Sequence, residues 1–225
     1  MTAFFDMDGT LFAGDSQLRF ARWVLKRHGL RRLYLLLVLP GFLLCALRLL
    51  SLERMKRLFL SYAWRMRREE LLAESRDFVQ QELLRELYPP VLAELRALQA
   101  EGHTTILCSA SPDWWVQELG RALGFTHTIG TPVQLGARLG FMPPIPPPGN
   151  NRRAAKLTRL AAIGYSRADV TYTDSAADLP MISISDRAVL VNPTPALEKR
   201  VPGARILRPP RALPHFFVIR CLLGM

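Results

Sequence analysis

Two aspartates stand two positions apart at the end of an apolar run near the start of the chain. The run, residues 4–11, reads FFDMDGTL, and its acids are Asp6 and Asp8. A short apolar run of this kind is typical of a buried strand. Two carboxylates at its end could divide a reaction, one acting as nucleophile and metal ligand, the other as general acid and base. Taken alone, the stretch is as typical of a solvated turn or a calcium loop.

Three further polar residues lie where later strands end or between them. Ser109 ends one β-branched, apolar segment, Asp174 directly follows another, and Lys156 lies on a predicted helix between the two. Strands alternate with helices at both ends of the chain, which predicts a parallel α/β sheet. Because such sheets bind ligands at the carboxyl ends of their strands, we expect these three side chains to converge with Asp6 and Asp8.

Phosphoryl transfer is the chemistry that needs this set. A divalent cation offsets the repulsion between an anionic phosphate monoester and a carboxylate nucleophile, and an oxygen-only ligand set suits Mg²⁺. We expect Asp6 to ligate the cation and attack phosphorus. Asp8, two residues on, would face the same site, protonate the leaving oxygen and then activate water. Asp174 would complete the carboxylate shell, with Asp178 in that shell or just behind it.

A second group of residues is predicted to hold the phosphate. Ser109 would donate to a phosphoryl oxygen, and Lys156 would neutralise phosphate charge and keep the nucleophile ionised. Gly9 would let the backbone come close to the phosphate. Thr10 and Ala110, which follow the first acid pair and Ser109 in the chain, complete the predicted phosphate-binding set.

A long helical block follows the first predicted strand. Residues 30–88 have a helical pattern throughout, interrupted at Pro40-Gly41. We therefore expect a parallel sheet with an all-helical insert after its first strand. The predicted parts are a core of residues 1–14 and 89–207, a helical cap of residues 15–88, and a C-terminal tail of residues 208–225. Later in the chain, Ser111 is the predicted N-cap of a helix, and a hairpin is expected to turn near Gly136.

The basic residues are concentrated in one segment. The chain carries a net charge of +11, and residues 19–68 contain thirteen Lys and Arg but one acid, so the whole excess lies there. Such a block implies an acidic partner, which could be nucleic acid, an anionic membrane or a phosphorylated substrate. A solvated helix face is the plainer alternative. We expect no nucleic-acid partner, because the basic residues surround an apolar run rather than a stacking surface.

That apolar run covers residues 33–47 without a charge, and Arg31, Arg32 and Arg48 bracket it. It is shorter than the ~20 residues that a spanning helix needs. Because it is apolar all round, it is either a buried cap helix or a membrane-inserted hairpin. Basic residues beside an anionic leaflet contribute about 1 kcal/mol each, so the flanks favour contact with a membrane.

The cysteines indicate a reducing compartment. Cys45, Cys108 and Cys221 are far apart and form no Cys-x-x-Cys, so we expect neither a disulfide framework nor a zinc site. We expect no signal peptide ahead of the first strand. We expect the protein in the cytoplasm, at the cytoplasmic face of the membrane, while its oligomeric state stays open.

Taken together, the motifs resemble the haloacid dehalogenase (HAD) superfamily of phosphatases, in its phosphoserine-phosphatase-like branch. The matching segments are FFDMDGTL, ILCSAS, KLTRL with Lys156, and YTDSAADLPMI, with RLGF and VLVNPTPAL also similar to that branch. The resemblance spans about residues 3–207. It implies a HAD-like Rossmannoid sheet with helices on both faces and an all-helical cap. It also implies a Mg²⁺-dependent aspartyl-phosphate mechanism, with a main-chain oxygen of Asp8 on the metal. Thr173 departs from the pattern, since the family often has glycine there.

Within this branch, the chain is similar to phosphatidylglycerophosphatases of the C type. The shared features are the first motif, Asp15 nine residues after Asp6, and an apolar cap helix with LVLP. This implies a lipid phosphate substrate, although Asp15 also fits a helix N-cap. One alternative is the same chemistry on a soluble monoester such as phosphoserine or histidinol phosphate. Another is a non-catalytic membrane-binding module, which would have no need of both acids of the first motif.

Overall fold

The computed structural model describes residues 1–210, apart from the side chains of Leu35, Leu37, Leu39, Phe42 and Leu52. Of the predicted tail, residues 208–225, the part from position 211 onward lies outside the described residues. Six parallel strands form one sheet in the order β3-β2-β1-β4-β5-β6. They are β1 (Thr2–Phe5), β2 (Thr104–Pro112), β3 (His127–Thr131), β4 (Ala168–Thr173), β5 (Ser185–Val191) and β6 (Arg205–Leu207).

Nine α-helices surround this sheet in the described part of the chain. They are α1 (Ser16–Arg27), α2 (Leu35–Ala46), α3 (Leu52–Leu60), α4 (Arg68–Phe78), α5 (Pro89–Ala100), α6 (Asp113–Leu123), α7 (Ala154–Ala162), α8 (Leu179–Ser183) and α9 (Pro195–Arg200). Short 3₁₀ segments at Gly29–Tyr34, Ser61–Ala63 and Ala176–Asp178, and a π-helical turn at Val79–Leu83, join some of them. All the helices from α1 to α5 fall between β1 and β2, as the sequence predicts.

The central strand β1 is buried on both faces. Ala3 and Phe5 belong to the large apolar cluster on one side of the sheet, whereas Phe4 packs with Ile106 and Leu160 on the other side. A strand covered on both faces reads as a continuous apolar run, which is why TAFF lacks polar alternation. The prediction of helices on both faces of a parallel sheet is confirmed.

The helical block shares its core with the sheet domain. The ring of Phe20 on α1 lies 4.6 Å from that of Trp115 on α6, and the ring of Phe78 on α4 lies 6.3 Å from the same indole. One apolar cluster continues from the sheet through these helices. Burying this shared aromatic surface stabilises the insert against the core. The cap boundaries at residues 15 and 88 stay a prediction.

The expected interruption at Pro40-Gly41 is wrong. Helix α2 runs through both residues from Leu35 to Ala46, with Pro40 inside it. Proline removes one backbone donor and strains the preceding turn, but packing against α3 is retained. A Cβ at position 41 would collide with the side chain of Leu58 on α3, so Gly41 lets the two helices approach closely.

Two local predictions after β2 are also wrong. Strand β2 continues to Pro112, which takes the N-cap position of α6, so Ser111 does not cap this helix. The hairpin near Gly136 does not form either. The main chain of Leu139 instead hydrogen-bonds to that of Met66 and Arg65 in the helical block, each at 2.9 Å. Leu139 thus pairs with a distant partner, although the N–H of Gln134 donates to the carbonyl of Pro144 at 2.9 Å across the same segment.

Of the helices that the structure describes, none is both long enough and apolar enough to cross a bilayer. Helix α2 has 12 residues and rises about 18 Å, against a hydrocarbon core about 30 Å thick.

Candidate active site

The predicted convergence at the sheet edge is present. Asp6 directly follows β1, and its backbone N–H donates to the carbonyl of Tyr172 on β4 at 2.9 Å. Ser109 lies on β2 and Asp174 follows β4, and these are the two strands that flank β1. Strands β2 and β3 lie on one side of β1, and β4, β5 and β6 lie on the other side. Parallel sheets bind ligands at the crevice that such a reversal of strand order creates.

Lys156 joins two of the predicted acids. Its Nζ donates to Oδ1 of Asp6 at 2.7 Å and to Oδ1 of Asp178 at 2.8 Å. Lys156 and Asp178 are each 2% exposed, and a buried ion pair needs further hydrogen bonds to offset its desolvation. Thr173 supplies one, because its hydroxyl donates to Oδ2 of Asp178 at 2.8 Å. Both oxygens of Asp178 are therefore engaged, and the departure from the family at Thr173 has a structural role.

The site carries more carboxylates than cations. Burial raises the pKa of Asp6 well above its ordinary value, although the Lys156 ammonium opposes this shift. Burial, reinforced by the Asp178 and Asp8 carboxylates, raises the pKa of Asp174 to about 7. Burial lowers the pKa of Lys156, but the two adjacent carboxylates outweigh it and hold the pKa above its ordinary range. Lys156 thus stays charged, and the remaining negative charge suits a bound cation.

Asp8 lies in a set of hydrogen bonds that sequence reasoning missed. Its Oδ1 accepts from the backbone N–H of Ser16 at 2.8 Å, and its Oδ2 accepts from the hydroxyl of Ser111 at 2.7 Å. The two serine hydroxyls lie 3.0 Å apart, and the indole N–H of Trp115 donates to Ser16. The signal for Ser111 was its position two residues after Ser109, on the same face of β2.

The acid–base prediction for Asp8 agrees with its environment. Burial, together with the nearby charge of Asp15, raises the pKa of Asp8 to about 6. The two serine donors oppose this rise. A carboxyl group with a pKa close to neutral can both give and take a proton near physiological pH. Asp15 itself is the N-cap of α1 and accepts from the N–H of Gln17 at 2.8 Å.

The structure gives each of the predicted phosphate-binding residues a different hydrogen-bonding environment. The hydroxyl of Ser109 accepts from the N–H of Ser111 at 3.0 Å and can still donate its own proton. The hydroxyl oxygen of Thr10 is buried and has no hydrogen-bond partner among residues 1–210, so it has capacity for a ligand. The carbonyl of Ala110 accepts from Lys56 at 2.6 Å, a contact that the sequence did not indicate.

Position 9 requires glycine for two reasons, its backbone conformation and its close contact with Asp174. Its φ is +77°, and a Cβ at this position would collide with the Asp174 carboxylate. The main chain of the first loop therefore lies directly against Asp174. This approach agrees with the implied metal site, in which a main-chain oxygen of Asp8 joins the carboxylates.

Replacing Gly9 by alanine is expected to lower phosphatase activity about 10²-fold, because the new methyl group would displace Asp174. Gly14→Ala is the matched control, since Gly14 has φ +85° but no atoms within 4 Å of the added Cβ. Both variants place alanine at a positive φ, and Gly9→Ala alone creates the collision. Steady-state phosphate release and thermal unfolding measure the two effects. Equal activity losses in the two variants would contradict this role of the collision.

The donor set fits a magnesium ion. No group of three or more His, Cys, Asp and Glu side chains within residues 1–210 is arranged as a metal centre. The implied site needs only two such side chains, because its protein ligands would be the carboxylates of Asp6 and Asp174 and the main-chain carbonyl oxygen of Asp8. These are the ligands that Mg²⁺ prefers, with water and substrate completing its shell.

Comparisons with known proteins agree with this geometry. A family model described as haloacid dehalogenase-like hydrolase matches residues 3–183. A Mycobacterium tuberculosis protein named "probable phosphatase" is 30% identical over 210 residues, which cover 88% of this chain and 70% of that protein. A histidinol-phosphatase of Neisseria meningitidis is 24% identical over 163 residues, covering 67% of this chain and 71% of that protein.

A solved structure has the same fold. A substrate-bound phosphoserine phosphatase matches with a TM-score of 0.60 at 15% identity, covering 92% of this chain and 93% of that chain. The prediction of a HAD-type phosphatase is confirmed by the family model and by relatives of that description. The finer resemblance to phosphatidylglycerophosphatases stays a prediction. Because the family model covers most of the chain, this protein belongs to the haloacid dehalogenase-like hydrolase family.

Proposed function

We propose that the protein is a Mg²⁺-dependent phosphomonoester hydrolase that works through an aspartyl-phosphate on Asp6. The observation that carries this proposal is Lys156, held between Asp6 and Asp178 at 2.7 and 2.8 Å at the end of β1. A buried ammonium fixed there orients the nucleophile and offers charge to an incoming phosphate. Asp6, Asp174 and the main-chain oxygen of Asp8 would hold Mg²⁺, with Asp178 just behind. When bound, the ion offsets the charge repulsion between phosphate and carboxylate.

The chain's own groups divide the two steps. In the first, a carboxylate oxygen of Asp6 attacks phosphorus, the bond to the ester oxygen breaks, and Asp8 gives that oxygen a proton. In the second, Asp8 takes a proton from water, whose oxygen attacks phosphorus, and Asp6 is released with inorganic phosphate. Ser109 and Thr10 donate to the phosphoryl oxygens in both steps.

For the substrate we propose a lipid phosphate presented at the cytoplasmic face of an anionic membrane. The support is an apolar surface around α2, which we call the leucine surface. It consists of Leu30, Leu33, Leu36, Leu43, Leu44, Leu47 and Leu49, each at least 42% exposed. Leu36, Leu43 and Leu47 repeat at intervals of seven and four, so they share one side of the helix. Exposed apolar side chains grouped in this way are typical of protein or membrane contact sites.

Arginines lie at both ends of the leucine surface. Arg31 donates to the carbonyls of Tyr62 and Trp64 at 3.1 and 2.7 Å, so this side chain is anchored beside the leucines. Arg48 is exposed at the other end. Positive charge beside exposed leucine favours an anionic leaflet, and this is the charge complementarity on which the membrane proposal rests.

A soluble monoester is the second candidate. The histidinol-phosphatase relative and the phosphoserine phosphatase structure both act on small soluble phosphates according to their names. Purified protein tested with phosphatidylglycerophosphate, phosphoserine and histidinol phosphate decides between the candidates. Preference for a soluble ester in kcat/KM would overturn the lipid proposal and leave the mechanism standing.

The membrane proposal predicts that wild-type protein floats with phosphatidylglycerol vesicles and that Leu36→Ser combined with Leu43→Ser reduces the bound fraction at least ~10-fold. The reason is the loss of two apolar side chains that would otherwise be buried in lipid. Ile163→Ser is the matched control, because Ile163 is 40% exposed on α7's C-cap, outside the leucine surface. Wild-type protein that stays in solution, or equal loss in the control, would contradict membrane contact through this surface.

A further inference from the structure

A lysine of the helical block reaches the last part of β2, the segment that carries Ser109. Lys56 lies on α3, and its Nζ donates to the carbonyl of Ala110 at 2.6 Å, to Oδ1 of Asn150 at 2.5 Å and to the hydroxyl of Thr131 at 3.3 Å. An ammonium has three donors, so all three are used. The acceptors come from the end of β2, from β3 and from the loop before α7, which are separate parts of the core.

These contacts fix one peptide plane next to the candidate active site. The carbonyl of Ala110 points to Lys56, and in a trans peptide the following N–H points the opposite way. That N–H belongs to Ser111 and donates to the hydroxyl oxygen of Ser109 at 3.0 Å. With its oxygen accepting from Ser111, the Ser109 hydroxyl has its proton free to turn toward a phosphoryl oxygen. The orientation of Ser109 is thus linked to Lys56 through one peptide unit.

Two further donors hold the same segment of β2. Thr131 donates to the carbonyl of Ala110 at 2.6 Å, and the side-chain amide of Asn151 donates to the carbonyl of Ser109 at 2.8 Å. The carbonyl oxygens of Ala110 and Ser109 carry partial negative charge, and these donors keep them turned away from the phosphate site. A carbonyl released from these donors could rotate toward the phosphate and repel it.

The charge of Lys56 is used only for hydrogen bonds to neutral oxygens. No carboxylate among residues 1–210 lies within ion-pair distance of its Nζ. Burial lowers the pKa of Lys56 to about 8, with Asp15 and Asp8 opposing the shift from farther away. The amine is therefore mainly protonated at neutral pH, and charged donors make the stronger hydrogen bonds.

We propose that Lys56 is a positioning residue that fastens the helical block to the Ser109–Ser111 segment and holds this segment in the orientation that accepts a phosphoryl group. The proposal rests on the phosphatase mechanism above. It gives a residue of the helical cap a role in positioning the phosphate-binding segment. Closure of the cap over the core would then complete the phosphate site, because α3 carries the amine.

The test compares Lys56→Met with Lys56→Arg and with Arg57→Met. Arg57 is the matched control, since it also joins α3 to the core, through the carbonyls of Met142 and Pro143, but does not contact the Ser109 segment. With 4-nitrophenyl phosphate, whose small leaving group has little to contact in the cap, we expect Lys56→Met to lower kcat about tenfold or more. Arg57→Met should stay within about twofold of wild type, and Lys56→Arg should regain most of the lost kcat.

Amide hydrogen exchange gives a readout that does not need activity. The peptide containing residues 109–111 should exchange about tenfold faster in Lys56→Met and at the wild-type rate in Arg57→Met. Unchanged exchange in Lys56→Met, or a change of KM with kcat preserved, would overturn the positioning role. Faster exchange in a Lys56→Met variant of a protein that hydrolyses no phosphomonoester would support the contact between Lys56 and this segment of β2, and would reject the proposed function.

Discussion

Asp6→Asn is expected to lower phosphate release at least ~10⁴-fold while the protein stays folded. Loss of a covalent nucleophile has effects of this size in enzymes whose catalytic groups act as a unit. Asparagine keeps the shape of the side chain and can still accept a hydrogen bond from Lys156, so the buried contact at 2.7 Å survives in altered form. The fold has no other need of a negative charge at this position, because Asp178 still pairs with Lys156.

The measurement is steady-state phosphate release with Mg²⁺ at saturation, paired with thermal unfolding. Activity that survives in Asp6→Asn, or that persists in wild-type protein after complete removal of divalent metal, would contradict the mechanism. Asp15→Asn is a useful comparison, since Asp15 caps α1 through hydrogen bonds that asparagine also makes. It should retain activity within about tenfold, because its charge acts on Asp8 only from a distance.

Lys156→Met is expected to lower kcat about 10²–10³-fold, the usual cost of removing one charged donor from a preorganised site. The same change leaves Asp6 and Asp178 buried without their cation, which destabilises the fold by about 3–5 kcal/mol. Loss of activity could then reflect unfolding alone.

A second variant separates these two effects. In Lys156→Met combined with Asp178→Asn, one of the unpaired charges is removed, so part of the lost free energy of unfolding should return. The kcat should stay low, because no ammonium faces the phosphate. Urea unfolding and steady-state kinetics measure the two quantities independently. A stable double variant with near wild-type kcat would show that Lys156 serves only the fold.

The two acids at the ends of β1 and β4 could be predicted from sequence because strand polarity places them at one edge. Asp6 and Asp174 each follow an apolar segment that is too short for a helix, and parallel strands end at one edge of the sheet. Lys156 required the further knowledge that its helix packs beside this edge. The alternation of strands and helices supported that inference, the family resemblance agreed with it, and the ion pairs of Lys156 with Asp6 and Asp178 are consistent with it.

Most of the contacts that sequence reasoning missed join residues that lie far apart in the chain. Lys56 and Ala110 are 54 positions apart, and Ser111 and Asp8 are 103 apart. No local pattern marks the contact of Lys56, since a lysine on a basic helix is typically a solvated residue. The wrong hairpin near Gly136 has the same origin, because Leu139 pairs with Met66 rather than with its own neighbours.

Thr173 was noticed in the sequence, but its role was not predicted. The sequence marked it as a departure from the family, but gave no reason for it. The structure shows that its hydroxyl donates to Asp178 and accepts from the N–H of Ser175 at 3.0 Å. Thr173 therefore orders the segment that follows β4, and with it the carboxylate that holds Lys156.

Trapping the phosphoryl group on Asp6 tests the central claim most directly. Wild-type protein mixed with 4-nitrophenyl phosphate and Mg²⁺ is quenched in acid within one turnover, digested and mapped by mass spectrometry. The mechanism predicts a phosphoryl adduct on the peptide that contains Asp6, and no adduct in Asp6→Asn. Hydrolysis at the full rate without any adduct on this peptide, or an adduct on a different residue, would contradict it.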